Sequence, residues 1–303
     1  MTEFTAAHFD EICNADPVKS QIEGIEAARS AAVKKFWMFL VGGVIATLVL
    51  AALSLGVSEV LAGIVFVIGV AGTFILALGP LDKARKGLKH PVLEALAARG
   101  GMTYHADRFE PPFYIGTRKA LFGGWLSDQV FTDLFQGKFD DGKGFAVYEA
   151  HLSTGSGKNK QTVFQGQMYG FETGKGAADV TVITPDKGLF NFFKPGAGMQ
   201  SVKFESNPEF EKRFEVYSTN PSIAMGLLGS PTLQNRLLEL RGKNGKVFGY
   251  IGPNEVLFAV TGADRFEPGS MFKATAGQER AKMMFDDVCN SIAILKELRA
   301  AFG

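Results

Sequence analysis

FWMFLVGGVIATLVLAALSL, residues 36–55, and VLAGIVFVIGVAGTFILALG, residues 60–79, decide the architecture, because neither stretch holds a charged residue. Each is twenty residues long. At about 1.5 Å of rise per residue, a helix of that length covers about 30 Å, the thickness of a bilayer's hydrocarbon core. A helix pair buried in a soluble core normally keeps a polar side, and apart from Thr47, Ser54 and Thr73 these runs have none. The pattern predicts two membrane-spanning helices.

Only Gly56, Val57, Ser58 and Glu59 separate the runs, so the helices are expected to be adjacent and antiparallel across a tight turn. Small residues that would let the backbones approach are Gly42, Gly43 and Ala46 on the first helix and Gly69, Gly72 and Thr73 on the second. A cleaved signal sequence fits poorly. Thirty-five residues, including Asp10, Glu11, Asp16, Glu23 and Glu26, precede the first apolar run, and the anchor is expected to stay in the mature protein.

Flanking bases give the orientation. Lys34 and Lys35 precede the first run, and Lys83, Arg85, Lys86 and Lys89 follow the second, whereas the turn carries no base and one acid. Because Lys and Arg are retained on the cytoplasmic face, both termini are expected in the cytoplasm of a multi-pass inner-membrane protein. The two cysteines, Cys13 and Cys289, are too few for a disulfide framework and share no metal-ligand spacing.

Mean hydropathy over the 303 residues is only +0.08, which conceals this segregation. Residues 80–303 carry 28 Lys and Arg against 24 Asp and Glu, a net +4, and residues 1–35 carry 4 against 6, a net −2. Neither part has the basic excess of a nucleic-acid footprint. Three regions are expected: an amphipathic helical segment over 1–35, the transmembrane hairpin over 36–79, and a cytoplasmic domain over 80–303.

Within residues 1–35, Phe9, Ile12, Ile22 and Ile25 mark a helix that breaks or restarts near Asp16-Pro17, with Asp16 able to cap and Pro17 to open the next helix. It is expected to dock on the globular domain or on a second copy. After the membrane, Asp82–Arg99 reads as a helix interrupted by Pro91 and stopped by Gly100-Gly101.

The character then changes. Met102–His105, Phe131–Phe139, Gly144–Leu152, Thr162–Phe171 and Asp179–Thr184 are rich in β-branched and aromatic residues. The last four are separated by Asp141-Gly142, Gly155-Ser156-Gly157 and Gly174-Lys175-Gly176, turn chemistry that predicts an antiparallel meander. Further strands are expected over 200–205, 214–218, 246–251 and 255–261, with short helices after Asn207-Pro208, over 222–228 and over 232–241. Residues 277–302 place Met284, Phe285, Val288, Ile292 and Leu295 on one stripe and predict an amphipathic helix closing a face of the sheet. The fold class is α+β: a two-helix transmembrane hairpin followed by an antiparallel-sheet domain with packed helices. Twenty-seven Phe suit an aromatic core. One short string recurs, Asp107-Arg108-Phe109-Glu110-Pro111 and Asp264-Arg265-Phe266-Glu267-Pro268, without a wider period.

Three blocks resemble an uncharacterised bacterial membrane-protein family, domain of unknown function 3137. They are Phe131-Thr132-Asp133-Leu134-Phe135-Gln136-Gly137, the Val163-Phe164-Gln165-Gly166 strand, and the run from Val202-Lys203-Phe204-Glu205-Ser206-Asn207-Pro208-Glu209-Phe210 through Ser218 to Pro231. The resemblance covers about residues 30–270 and departs after Ala224, where Met225-Gly226 replaces an aromatic and basic pair. It implies the α+β fold, a bacterial source and a membrane location; it carries over no catalytic or ligand residue.

Chemistry-bearing motifs do not survive inspection. Thr154-Gly155-Ser156-Gly157-Lys158-Asn159 lacks the first Gly, the hydroxyl after Lys and the following helix of a phosphate-binding loop, and reads as a hairpin connection. His8, His90, His105 and His151 show no metal-binding spacing. Gly226-Leu227-Leu228-Gly229-Ser230 is not a nucleophile elbow. Asp140-Asp141 and Asp286-Asp287 are neighbours whose side chains diverge. No catalytic, cofactor-binding or metal-binding residue is predicted, and no cofactor.

The expected role is a membrane-anchored binding or scaffold module. Its partners are the lipid bilayer and either a protein or a second copy, with no nucleic acid. The alternative is a membrane-associated enzyme acting on a lipid or envelope precursor, with polar residues such as His105, His151, Asp128 and Asp133 assembled into a site.

Overall fold

Both uncharged runs fold as the central parts of helices much longer than themselves. The computed structural model describes residues 6–174, 179–186, 196 and 198–303. It begins with α1 (Ala6–Asn14), α2 (Val18–Leu55, 38 residues) and α3 (Glu59–Arg99, 41 residues). The expected break lies between Asn14 and Val18, but Pro17 takes the cap position itself and no side chain caps α2. Asp16 is therefore not the cap. α3 corrects a second expectation: it passes through Pro80 and Pro91 without interruption. A proline removes one N–H donor and crowds one carbonyl, here those of Leu76 and Gly87, and the bonds on either side carry the helix on.

Residues 6–96 and 266–286 pack as one unit, and residues 97–265 and 287–303 as another. In the first, α2 and α3 lie antiparallel and touch through reciprocal pairs. A Cβ added to Gly43 would stand 2.5 Å from Thr73 Oγ1, and one added to Gly69 would stand 2.6 Å from Thr47 Oγ1. Both threonines are buried. Gly43, Gly69 and Thr73 thus make the expected close approach, while Gly42 and Gly72 face open space. Nearer the base of the hairpin, Ala32 and Phe36 of α2, Ala77 and Leu81 of α3, and Met271 form a small apolar core.

The N-terminal segment docks within its own chain. Phe9 meets Phe285 edge-on with ring centroids 5.2 Å apart, and a Cβ on Gly277 would strike the Ile22 carbonyl, so helix α8 (Gly277–Phe302) starts hard against α2. Arg280, 1% exposed, gathers the irregular segment between Phe266 and Ala276. Its guanidinium donates to the carbonyls of Pro268 (2.8 Å), Ser270 (3.2 Å), Lys273 (2.6 Å) and Thr275 (3.3 Å), and to Glu26 of α2 (3.3 Å). These carbonyls belong to no helix or strand, and the buried one of Pro268 would otherwise lack this donor.

The second unit is built on β1 (Met102–His105), β2 (Asp128–Lys138), β3 (Gly144–Thr154), β4 (Gln161–Glu172), β5 (Thr181–Pro185), β6 (Gln200–Val202), β7 (Phe214–Ser218), β8 (Val247–Ile251) and β9 (Glu255–Thr261). Among the described residues these make one antiparallel sheet in the order β1-β2-β3-β4-β9-β8-β5-β7-β6. The meander holds for β1 to β4. It fails at β5, which pairs with β7 and β8 while β4 takes β9 as its neighbour. The Gly174-Lys175-Gly176 turn expected between β4 and β5 lies partly outside the described residues. Gly166 permits the β4–β9 pairing: its φ is +151°, and a Cβ there would collide with the Val260 carbonyl.

Alternate residues of β3 and β4 face opposite ways. Ala146, Tyr148 and Leu152 with Phe164 and Met168 pack under α4 (Tyr114–Phe122), a helix not anticipated from sequence. On the other side, Gln167 accepts from Ser291 (3.4 Å) and Phe258 stacks near Phe302 of α8 (5.0 Å). α8 thus closes a face as expected, but α4 covers the opposite one. The short helices α5 (Pro208–Arg213) and α6 (Pro221–Leu228) open with Asn207 and Asn220 accepting from the Phe210 and Ile223 amides. α7 (Pro231–Arg241) follows.

Two outcomes follow. Gly43→Val or Gly69→Val should lower the thermal midpoint of the detergent-solubilised protein, an overpacking cost of about 1–3 kcal/mol, whereas Gly42→Val and Gly72→Val should leave it unchanged. Arg280→Ala should destabilise by about 3 kcal/mol in chemical denaturation, because Glu26 and the loop carbonyls lose their common donor; a value near zero would show that water replaces it.

Candidate functional site

A cleft lies in the first unit, between the N-terminal half of α2 and the segment of α3 that follows the second apolar run. Its volume is 660 Å³. Small residues hollow it out: Gly24, Ala28 and Ala31 on α2, and Gly79, Ala84 and Gly87 on α3. Met38, Phe39 and Pro80 form its apolar end, and Lys35 and Lys83 sit on its walls. Among the described residues no acidic side chain lines it.

The surrounding charges set these two lysines apart. Asp82 holds Arg85 (2.8 Å) and Lys86 (2.9 Å), and Glu267 holds Lys89 (2.5 Å) and Arg85 (3.3 Å). Burial works to raise the Asp82 carboxyl, but the hydrogen bonds and charges of Lys86 and Arg85 outweigh it and hold the group below the usual carboxylate range. Of the four bases after the second run, three are therefore held in ion pairs with these two carboxylates. Lys83 and Lys35 are exposed and make no ion pair with the described residues.

A neighbouring cleft of 500 Å³ is lined by Leu78, Leu81, Asp82 and Arg85 of α3 and by Gly269–Phe272. Phe272 is half exposed there and meets Phe36 edge-on at 5.0 Å.

In the second unit, Glu110, Pro111, Pro112 and Phe113 face Glu255 across a cleft of 420 Å³. Tyr148, fully buried, donates to the Pro112 carbonyl at 2.9 Å. Phe113 takes a left-handed φ of 63° as it opens α4. Burial alone raises the Glu255 carboxyl. The first Asp-Arg-Phe-Glu-Pro string thus borders this cleft. In the second string Phe266 is buried, Glu267 binds Lys89 and Arg85, and Pro268 accepts from Arg280. The two strings play different parts, which argues against a duplicated unit.

The four polar residues considered for an assembled active site are not brought into any of these clefts. His105 on β1 is exposed, with Nε2 3.4 Å from the Gln136 amide. His151 on β3 is exposed, with Nε2 3.3 Å from Thr162 Oγ1. Asp128 pairs with Lys160 at 2.7 Å, and that hydrogen bond and charge lower its carboxyl. Asp133 sits at a bulge in β2 with φ 57°, its amide bonded to the Ala106 carbonyl and its carboxylate accepting from Tyr104 at 2.6 Å. It fastens β1 to β2.

The Thr154–Asn159 string is a hairpin connection with a short 3-10 turn at Gly157–Asn159, and a strand follows it. Asp141 accepts from the Lys143 amide and from Arg299 (2.7 Å), and Asp286 pairs with Lys282. Burial and then the Asp10 charge push the Cys13 thiol up to about 11, away from nucleophilic reactivity. Among the described residues no three His, Cys, Asp or Glu side chains converge as metal ligands.

Sequence reasoning marked Lys35 and Lys83 only as topology signals. The spacing Gly24, Ala28, Ala31 facing Gly79, Lys83, Gly87 on the returning helix was the available sign of a groove.

Residues 162–300 match the model of a family described as protein of unknown function, DUF3137, the family the sequence resembles. The match contains the Val163–Gly166 strand and the 202–218 block and leaves Phe131–Gly137 and both apolar runs outside. No curated protein sequence matches the chain. A solved structure, the mycobacterial trehalose monomycolate transport factor A, aligns over 70% of this chain and 97% of its own at 11% identity and a TM-score of 0.35, a likeness too distant to bear on function.

Glu255 generates a pH prediction. Its folded carboxyl titrates above the ordinary range, so the folded state holds a proton that the unfolded state has released, and stability falls as pH rises from the ordinary carboxyl value through the raised one. Glu255→Gln should therefore raise the thermal midpoint at neutral pH and change nothing below the ordinary carboxyl range; equal midpoints at neutral pH would mean that the folded carboxylate is fully solvated.

Proposed function

We propose that the protein is a membrane-anchored binding module: α2 and α3 insert as a hairpin through residues 36–79, and residues 80–303 stand on the cytoplasmic face with the N-terminal segment. The observation that carries this reading is the surface of the two helices. Only 6% and 17% of their most apolar windows are buried within the protein, and outward side chains such as Leu53, Val60 and Ile75 are at least 70% exposed. A core helix of a soluble protein would bury that face, and in water an apolar surface of this extent would drive aggregation. Trp37, exposed at the start of the first run beside Lys34 and Lys35, suits the level where chain ends meet headgroups.

A binding role is supported by an open groove at the base of the hairpin. The partner classes are the bilayer itself and a protein or second copy held at its surface.

The protein should remain in the membrane fraction after alkaline carbonate extraction, and a reporter fused after Gly303 should be active only as a cytoplasmic fusion. Release by carbonate would refute the anchor. A reporter active in the periplasm would reverse the orientation and leave the anchor standing.

A further inference from the structure

We propose that the groove between α2 and α3 holds one anionic phospholipid of the surrounding leaflet, its phosphate at Lys35 and Lys83; this assignment rests on the membrane-anchored reading above.

Depth is the first argument. The groove straddles the ends of both uncharged runs: Met38, Phe39 and Gly79 lie inside them, and Lys35 and Lys83 lie just outside. In an inserted hairpin the apolar end opens at the level of the acyl chains and the lysines at the level of the phosphates. A lipid diffusing in the leaflet meets the apolar end and then the lysines without leaving the bilayer, and the rest of the groove, from Ala32 back to Gln21 on α2 and from Ala84 to Gly87 on α3, lies on the aqueous side, where its headgroup extends.

Shape is the second. Gly24, Ala28 and Ala31 on α2 and Gly87 on α3 leave backbone-deep space on the aqueous side of the lysines, room for a headgroup, and the whole volume of 660 Å³ falls within the range of small-molecule sites. None of Gly24, Gly79 and Gly87 has an atom of a described residue within 4 Å of where a Cβ would stand, so the floor is open.

Charge chooses the occupant. Arg85, Lys86 and Lys89 are already satisfied by Asp82 and Glu267, whereas Lys35 and Lys83 converge on the one lining that contains no acid. A second copy docked through the same face would bring its own Lys35 and Lys83 against these, like charges at an interface with no counter-ion. An anionic phosphate removes that cost and gains about tenfold or more in retention from two bases near the surface. A zwitterionic lipid presents the same phosphate with a cationic group beside it and gains less.

The test uses the full chain reconstituted in vesicles of equal phosphatidylglycerol and phosphatidylcholine, released into mild detergent and weighed intact by native mass spectrometry. One phosphatidylglycerol should be retained per chain in preference to phosphatidylcholine. Lys35→Gln with Lys83→Gln should cut that retention by about tenfold, Ala28→Phe should reduce it by crowding the headgroup end of the groove, and Lys158→Gln, in the other unit, should leave it unchanged. The thermal midpoints of all variants should match the parent, since Lys35, Lys83 and Ala28 are exposed.

Equal retention of both lipids, retention indifferent to the lysine pair and to Ala28→Phe, or a lipid-free dimer dispersed by Ala28→Phe would each overturn the assignment. Carbonate extraction of the same vesicles separates this from the parent reading. A chain that resists extraction yet retains no anionic lipid refutes the groove alone, and a chain that is extracted refutes the anchor.

Discussion

Arg280 does for one irregular segment what a strand partner does for a β-strand. The chain between Phe266 and Ala276 has no regular structure to occupy its carbonyls, yet Phe266 and Met271 are buried. One guanidinium answers four of these carbonyls and keeps a last contact for Glu26. A planar fork with five donors can do this and an ammonium cannot. With the segment fixed, Met271 reaches the core shared by Ala32, Phe36, Ala77 and Leu81, and Glu267 reaches Lys89 and Arg85. Glu26 is held low in turn. Burial alone would raise it, and hydrogen bonds and charge from Arg29 and Arg280 prevail. The base of the hairpin therefore owes its geometry to a residue more than two hundred positions away in sequence.

The sheet shows how polar residues serve as fasteners. Asp133 looked like a candidate acid in a strand; it proved to be the pivot of a bulge that ties Tyr104 and Ala106 to β2. Gln167, Tyr169 and Ser291 make a buried hydrogen-bonded group beneath α8, and burial pushes the Tyr169 phenol up to about 12. Arg299 bonds the Glu172 carbonyl and Asp141 while lying over Phe139 and Phe171. Each group satisfies a local need of the ladder, and none is left reaching into a shared cleft.

What was legible in the sequence was local. The uncharged runs, the β-branched and aromatic content of β3 and β4, the Asn-Pro openings of α5 and α6 and the stripe of α8 each declare themselves within a single continuous stretch of chain. The pairing of β4 with β9 does not, since the partner strand lies some ninety residues on. α4 escaped notice because its nine residues, YIGTRKALF, carry no clear stripe and begin from a left-handed Phe113. Pro91 misled in the opposite direction, since its local cost is outweighed by the helix on both sides. The groove is a thing of absences, small residues on two helices, and it becomes visible only when the helices are side by side.

The length of α2 carries a mechanical meaning. Thirty-eight residues without a break make a rod of about 57 Å, of which a bilayer's hydrocarbon would take about 30 Å in the proposed anchored state. The remainder is a rigid arm about 27 Å long, and a change in tilt of about 20°, within the ordinary spread for membrane helices, would swing its Val18 end by about 9 Å. Membrane thickness and lateral tension set such tilts. Inserted as proposed, a helix without a hinge would convert them into displacement outside the bilayer, with no ligand or chemical step in between.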